Sequence, residues 1–365
     1  MHWRYSKFDP RLSDLKERLK RLLSIFNQLL LHTDGNVDEA LQHLERIGKR
    51  FGLLDEGFTI EEFKSWLERE NRVAQNRRGG LSLTKKGEQG IRTSSLEAVF
   101  GALERDAQGE HRVAAAGIGL ERLPETRPYA FGDPLSLIDP NETLSNAIRR
   151  GGIDSISIDE EDLRVYETEH LSSCATVLMI DVSHSMILYG EDRITPAKRV
   201  ALALCELITT RYPKDSLSVI LFGDVASEVS IAEIPYLSAG PYHTNTKAGL
   251  ELARELLRKK RQANRQIFML TDGKPSALTE RNGEIYKNPF GLDRRIVNKT
   301  LEEADYCRRL GIPITTFMLT SDPMLVDFVD RFTKANRGRA YYSELERLGS
   351  FVLVDYMRNK RRRVR

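Results

Sequence analysis

The sequence predicts an α/β protein: a doubly wound, mostly parallel sheet with helices on both faces, preceded by a smaller, mostly helical N-terminal domain. Three observations carry that reading. From about residue 170 onward, apolar runs of five to eight residues alternate with stretches of helical periodicity, the pattern of βα units. The runs ATVLMI (175–180), SLSVILF (216–222), QIFMLT (266–271) and IPITTFML (312–319) are near-continuous, as in strands covered on both faces. Residues 1–115 show helical spacing instead.

The elements follow in order. Asp9-Pro10 reads as an N-cap with Pro in the first turn, opening a helix with Leu12, Leu15, Leu19, Leu22, Leu23, Phe26, Leu29 and Leu30 on one stripe. Asn36 with Glu39, and Thr59 with Glu62, have capping-box spacing and open two more helices; Ser94 with Glu97 is expected to open a fourth. Asp34, Asn36, Asp38 and Glu45 imitate an EF-hand loop, but its sixth position needs Gly and here holds Glu39. Residues 81–103 suggest a winged-helix-like piece. The few charges there and an acidic body argue against DNA reading. Residues 116–170, rich in Gly, Pro and Ala at their start, read as an irregular connector packed on the next domain, with one short helix at 141–150. The strand–helix domain then spans 171–358. Its helices are expected at 195–212 (amphipathic), from 244–246 to about 260, at 296–310, 323–335 and 345–359. A short edge strand is expected at 225–231 and a final strand at 339–342.

Composition narrows the function classes. The chain is 40% hydrophobic and 30% charged. It has no apolar run of about 18 residues and no apolar core near its N-terminus, so neither a membrane span nor a signal peptide is expected. Cys174, Cys205 and Cys307 lie far apart, which suits reduced core thiols and a cytoplasmic protein. The net charge is +3, but the last eight residues, RNKRRRVR, carry six positive charges; without them the body stands at −3. A basic tail (359–365) on an acidic body is a solvated end first and a nucleic-acid contact second.

Chemistry concentrates where strands end. In an open α/β sheet, ligands bind beyond the C-terminal strand ends, where strand order reverses. Three loops there carry oxygen donors: DVSHSM with Asp181, Ser183 and Ser185; HTNT with Thr244; and TDGKP with Asp272. If the first loop stays extended, its three side chains share one side. Two carboxylates and three hydroxyls are hard donors that suit Mg²⁺ or Mn²⁺ better than Zn²⁺ or Cu²⁺. Only two negative charges leave the ion electron-poor, so a carboxylate from another molecule can fill an open position. His184 sits between the serines and is expected to face away.

The set DVSHS, then Thr244, then Asp272 resembles the metal-ion-dependent adhesion site (MIDAS) of von Willebrand factor A (VWA) domains, whose pattern is Asp-x-Ser-x-Ser, Thr, Asp. All five positions match, and the resemblance covers roughly 171–358. It implies a Rossmann-like fold and a metal at Asp181, Ser183, Ser185, Thr244 and Asp272: Mg²⁺, with Mn²⁺ or Ca²⁺ as substitutes. It also implies a protein partner that supplies an Asp or Glu. LTKKGEQGIR, RPYAFGDP and ETLSNAIRR resemble bacterial cytosolic VWA proteins linked to AAA+ ATPases of the MoxR or magnesium-chelatase type. That likeness implies a non-enzymatic adaptor for such an ATPase. The alternatives are a Mg²⁺-dependent phosphatase-like enzyme with Asp181 as nucleophile, or a nucleic-acid-associated regulator. The first wants a carboxylate where Ser183 stands. No G-x-S-x-G elbow surrounds the serines, and no Walker A motif is present.

Overall fold

The computed structural model describes residues 10–76, 79–106, 122–129, 138–152, 156–168, 173–190, 192–262, 264–272, 274–288, 290–319, 323–342 and 355–356. Its first part contains α1 (Pro10–His32), α2 (Val37–Arg50), α3 (Ile60–Arg69), strands β1 (Val73–Gln75) and β2 (Leu81–Leu83), and α4 (Lys85–Asp106). Asn36 caps α2 by accepting from the Glu39 N–H, and Thr59 with Glu62 forms a complete capping box on α3. Ser94 opens no helix. α4 is unbroken from Lys85, because the Thr84 hydroxyl already accepts the Gly87 N–H (3.1 Å). The winged-helix-like stretch is thus a β1–β2 hairpin followed by one long helix. The four EF-hand look-alikes diverge. Asp34 pairs with Lys198, Asn36 caps, Asp38 accepts the Leu81 N–H, and Glu45 pairs with Lys49.

The stretch expected as an irregular connector is more regular than that where it is described. β3 (Arg122–Pro128) pairs antiparallel with β4 (Arg164–Thr168), with a bulge between Arg122 and Thr126. Between them lies α5 (Pro140–Gly151), capped by Asp139.

The sheet domain follows: β5 (Cys174–Asp181), α6 (Ile194–Arg211), β6 (Ser216–Phe222), β7 (Ala226–Val229), α7 (Thr246–Arg258), β8 (Asn264–Thr271), β9 (Ala277–Thr279), β10 (Ile285–Lys287), α8 (Arg294–Arg309), β11 (Ile314–Met318), α9 (Pro323–Asn336) and β12 (Arg339–Tyr342). Six strands form one sheet in the order β12-β11-β8-β5-β6-β7, parallel throughout except for the antiparallel edge strand β7. This is the expected doubly wound sheet. The small β9–β10 hairpin was not foreseen, although Asn282-Gly283 at its turn is a strong hairpin signal; Gly283 has φ +85°. Of the expected closing helix at 345–359, only Asp355 and Tyr356 lie within the described residues, and the basic tail lies outside them.

Strand alternation sorts the core into two layers. Ala175, Val177 and Met179 of β5 join Ile267 and Met269 of β8 under α7, α8 and α9. Leu178 and Ile180 join Phe268 and Leu270 on the opposite face, under α6. That second core continues without a break into Leu22, Phe26 and Leu30 of α1 and Leu41 and Leu44 of α2. α6 therefore departs from the amphipathic expectation. Nearly every residue from Ile194 to Ile208 is buried, because the sheet covers one side and the N-terminal helices the other. Even Lys198 is fully buried; its ammonium donates to Asp34 Oδ1 (2.7 Å) and the Leu237 carbonyl (2.8 Å). Among the described residues no helix is long and apolar enough to cross a membrane.

Candidate metal centre

β5 connects outward to β6 and β7, and the chain then returns past β5 to β8. The strand order reverses between β5 and β8, so a crevice opens at their C-terminal ends. Asp181 is the last residue of β5, and Asp272 follows the last residue of β8. Both are buried, at 0% and 2% exposure. Ile180 lies opposite Leu270 in the ladder, which puts Asp181 beside Thr271. The Thr271 hydroxyl donates to Asp181 Oδ2 at 2.6 Å.

The DVSHSM loop does not stay extended. It coils into a 3-10 turn, His184–Gly190, closed at its start by the Met186 N–H on the Ser183 carbonyl (3.1 Å). The three donors still meet. Asp181 Oδ1 accepts the Ser183 N–H (2.9 Å), and the Ser183 and Ser185 hydroxyls are hydrogen-bonded at 3.0 Å. The turn achieves by curvature what an extended strand would achieve by alternation. His184 is exposed, as expected, and its backbone N–H donates to the Tyr242 carbonyl.

Thr244 is buried, and its backbone ties it to the segment after β8. Its N–H donates to Ser276 Oγ (3.0 Å), and its carbonyl accepts from the Ser276 and Ala277 N–H groups. Asn245, not Thr244, caps α7, accepting the Ala248 N–H at 3.1 Å. The Thr244 hydroxyl is therefore not consumed by capping, and it makes no hydrogen bond to the other four side chains among the described residues. The structure thus links Asp181, Ser183 and Ser185 by hydrogen bonds, and Asp272 lies close enough to the Ser185 hydroxyl for it to oppose the rise of the Asp272 pKa. Thr244 is held at the same end of the sheet through its backbone.

The electrostatics of this cluster are unbalanced. Burial pushes the Asp181 carboxyl up to about 7, and the neighbouring Asp272 charge adds to the rise. Asp272 is also raised by burial, against the Ser185 hydroxyl and the Arg193 and Lys274 charges. Its Oδ2 lies 3.6 Å from Arg193 Nη1, while its Oδ1 is buried without a hydrogen-bond partner among the described residues. A buried orphan carboxylate oxygen costs free energy unless something positive meets it. A divalent ion with oxygen ligands is one such partner, and the donors present are the hard oxygens it takes. Among the described residues no group of three or more His, Cys, Asp and Glu could hold a metal, so a softer, ligand-rich site has no counterpart there. The five residues fit a divalent cation.

Sequence reasoning missed three supporting residues. Thr271 closes the strand ahead of Asp272, and its role follows from the parallel register of β5 and β8. Ser276 and Arg193 carry no local pattern, because each acts on a partner 32 or 79 residues away.

The comparisons with known proteins identify the family and the fold. Residues 174–357 match the family described as Rv0959-like protein, vWA domain, and residues 121–168 match the Rv0959-like protein, third domain. The protein Rv0959 of Mycobacterium tuberculosis is 34% identical over 315 residues, covering 83% of this chain and 46% of that protein. Mb0984 of Mycobacterium bovis gives the same figures. The chain spans about half the length of the curated relatives it matches. Among solved structures, the vWF domain of the type V pili tip protein Mfa5 from Porphyromonas gingivalis is similar over 53% of this chain and 98% of that one. The identity there is 12% and the TM-score 0.42.

Proposed function

This chain belongs to the Rv0959-like family and carries its vWA domain, and we propose that the domain binds a partner protein through Mg²⁺ held by Asp181, Ser183, Ser185, Thr244 and Asp272. One observation carries the proposal: two carboxylates are buried at the switch point of the sheet, both raised in pKa by that burial, and one of them has an oxygen without a hydrogen-bond partner among the described residues. When bound, the ion supplies an electron-poor position for an Asp or Glu of the partner; Mn²⁺ and Ca²⁺ are its substitutes. The chain's own part is to hold two negative charges and a pair of hydroxyls in a dry, rigid frame. A non-enzymatic adaptor follows, since the position two residues after Asp181 is a serine, without the carboxylate an aspartyl phosphatase needs as acid and base. The partner proposed is an AAA+ ATPase of the MoxR or magnesium-chelatase type, in the cytoplasm. That part rests on the likeness of LTKKGEQGIR, RPYAFGDP and ETLSNAIRR to bacterial proteins of that kind.

Titration calorimetry of EDTA-stripped protein with Mg²⁺ and Mn²⁺ tests the ion. Uptake of one ion is expected, weakened at least about tenfold by Asp181→Ala or Asp272→Ala; no uptake by the wild type at millimolar metal would overturn the reading. Capture of an AAA+ ATPase of the MoxR type should weaken in EDTA and on Asp272→Ala. The pH dependence has a definite sign. Folded Asp181 keeps its proton to about pH 7, whereas an unfolded Asp loses it near pH 4. The folded state then binds more protons, so in EDTA stability falls as pH rises from about 4 through about 7. Added Mg²⁺ should raise the melting temperature strongly at pH 8 and little at pH 5.

A further inference from the structure

We propose that Arg193 is the resident counter-cation of this centre and competes with the divalent ion for Asp272. The inference rests on the metal reading above and adds what sets the affinity. Arg193 stands at the entrance of α6, eight residues beyond Ser185, and its N–H donates to the Met186 carbonyl at 3.0 Å. Its side chain is 12% exposed and that of Asp272 3%, so the 3.6 Å contact between them is largely dry. A guanidinium stays protonated at any pH the fold survives. It therefore supplies permanent positive charge to a crevice with two buried carboxylates; Lys274 adds to the same field.

The contact is a loose one. The approach of Arg193 Nη1 to Oδ2 lies outside hydrogen-bond distance, and Oδ1 has no hydrogen-bond partner among the described residues. A bidentate Arg–carboxylate pair would satisfy both oxygens and resist displacement. Here the guanidinium partly neutralises Asp272 while leaving it open to a second cation. A divalent ion at the same carboxylate is repelled by the guanidinium, so Arg193 weakens metal binding while it stabilises the metal-free fold.

The N-terminal domain fixes where Arg193 sits. The adjacent Asp192 places Oδ2 3.1 Å from His32 Nδ1 at the end of α1, and its Oδ1 accepts the Thr195 N–H at 3.0 Å. The Thr195 hydroxyl in turn donates to the Leu31 carbonyl at 3.5 Å. The segment 192–195 is thus strapped to α1 on one side and aims Arg193 at Asp272 on the other. Docking of the helical domain and metal affinity share this strap.

The test uses full-length, EDTA-stripped protein and Mn²⁺ calorimetry on wild type, Arg193→Gln, Arg193→Met and Arg193→Lys. Both neutral variants should bind Mn²⁺ about tenfold more tightly than wild type, and the lysine variant should stay near wild type. A merely structural role predicts the opposite sign, weaker binding in all three. In EDTA the neutral variants should melt below wild type and gain more from added metal. Wild-type uptake with unchanged or weaker binding in the neutral variants overturns the competition alone. A wild type that takes up no metal overturns the metal reading, and the competition with it. Two neutral variants are specified so that misfolding of one still leaves a measurement.

Discussion

The two faces of the central sheet are built differently. The face under α7, α8 and α9 closes on itself. Its core holds only residues of the sheet domain, and its polar ties are internal, such as Arg254 Nε to Glu303 at 2.7 Å and Asn336 bridging the Ala304 and Ile312 carbonyls. The face under α6 is shared. Its core runs on into α1 and α2, and its polar ties cross between domains: Lys198 to Asp34, Arg92 to Glu206, His32 to Asp192, and the Tyr236 hydroxyl to Glu88. Gly35, with φ +77°, lies so close under the Tyr236 ring that a Cβ there would come within 2.2 Å of it. The two halves are thus a single folding unit on one side and a self-contained domain on the other. The serine loop of the candidate site comes just before α6, the helix of the shared face.

Truncating one aromatic in each core tests whether the two faces differ in this way. Phe26 of α1 and Phe332 of α9 are each about fully buried, one in each core. Phe26→Ala and Phe332→Ala should each cost about 3–5 kcal/mol of global stability. Trp66 lies on α3, stacked on Phe63, so with Trp3 replaced by Phe in every protein compared the tryptophan fluorescence follows the N-terminal part alone. If the α6-face core is truly shared, fluorescence and far-ultraviolet circular dichroism report one transition in the wild type and both variants. A separate early fluorescence transition in Phe26→Ala, with the sheet intact, would show two independent domains.

The next effect sharpens it through the Lys198 pair. Asp34→Ala leaves an ammonium in a dry site with only carbonyl partners, and a cost of about 2 kcal/mol is expected. Lys198→Met leaves Asp34 half in water, where it is already 44% exposed, and should cost about half as much. Equal losses in urea denaturation would mean the pair acts as a surface ion pair and does not bind the domains together.

How much of this was legible beforehand depends on how local the cause is. The apolar run of β5 stops at Asp181 and that of β8 at Thr271, so their ends, and hence Asp181 and Asp272, could be located from the chain alone. Ser183 and Ser185 followed from spacing, though the turn that brings them together did not. Thr59 with Glu62 was legible because a capping box is a four-residue event. Ser94 with Glu97 has the same spacing and fails, because Thr84 starts the helix earlier. The burial of Lys198 and the aim of Arg193 were not legible. Each is decided by a second layer, contributed by residues more than 70 positions away. A helix pressed between two layers loses the amphipathic signature that would have revealed it, which is why α6 read as one-sided.

The smallest effect separates the faces most cleanly. Arg92–Glu206 and Arg254–Glu303 are alike as ion pairs. Each joins a guanidinium Nε to a glutamate, at 3.1 and 2.7 Å, and each is mostly buried. Glu206→Gln and Glu303→Gln keep size and one hydrogen bond while removing the charge, so each should cost about 1 kcal/mol or less. Their stability losses will hardly differ, but their locations will. Hydrogen exchange should rise in α4 as well as α6 for Glu206→Gln, because that pair spans the domains. For Glu303→Gln the rise should stay within α7 and α8. Faster exchange confined to α6 in the first variant would mean that apolar contact alone holds α4 in place, and that the polar ties across the shared face only set its register.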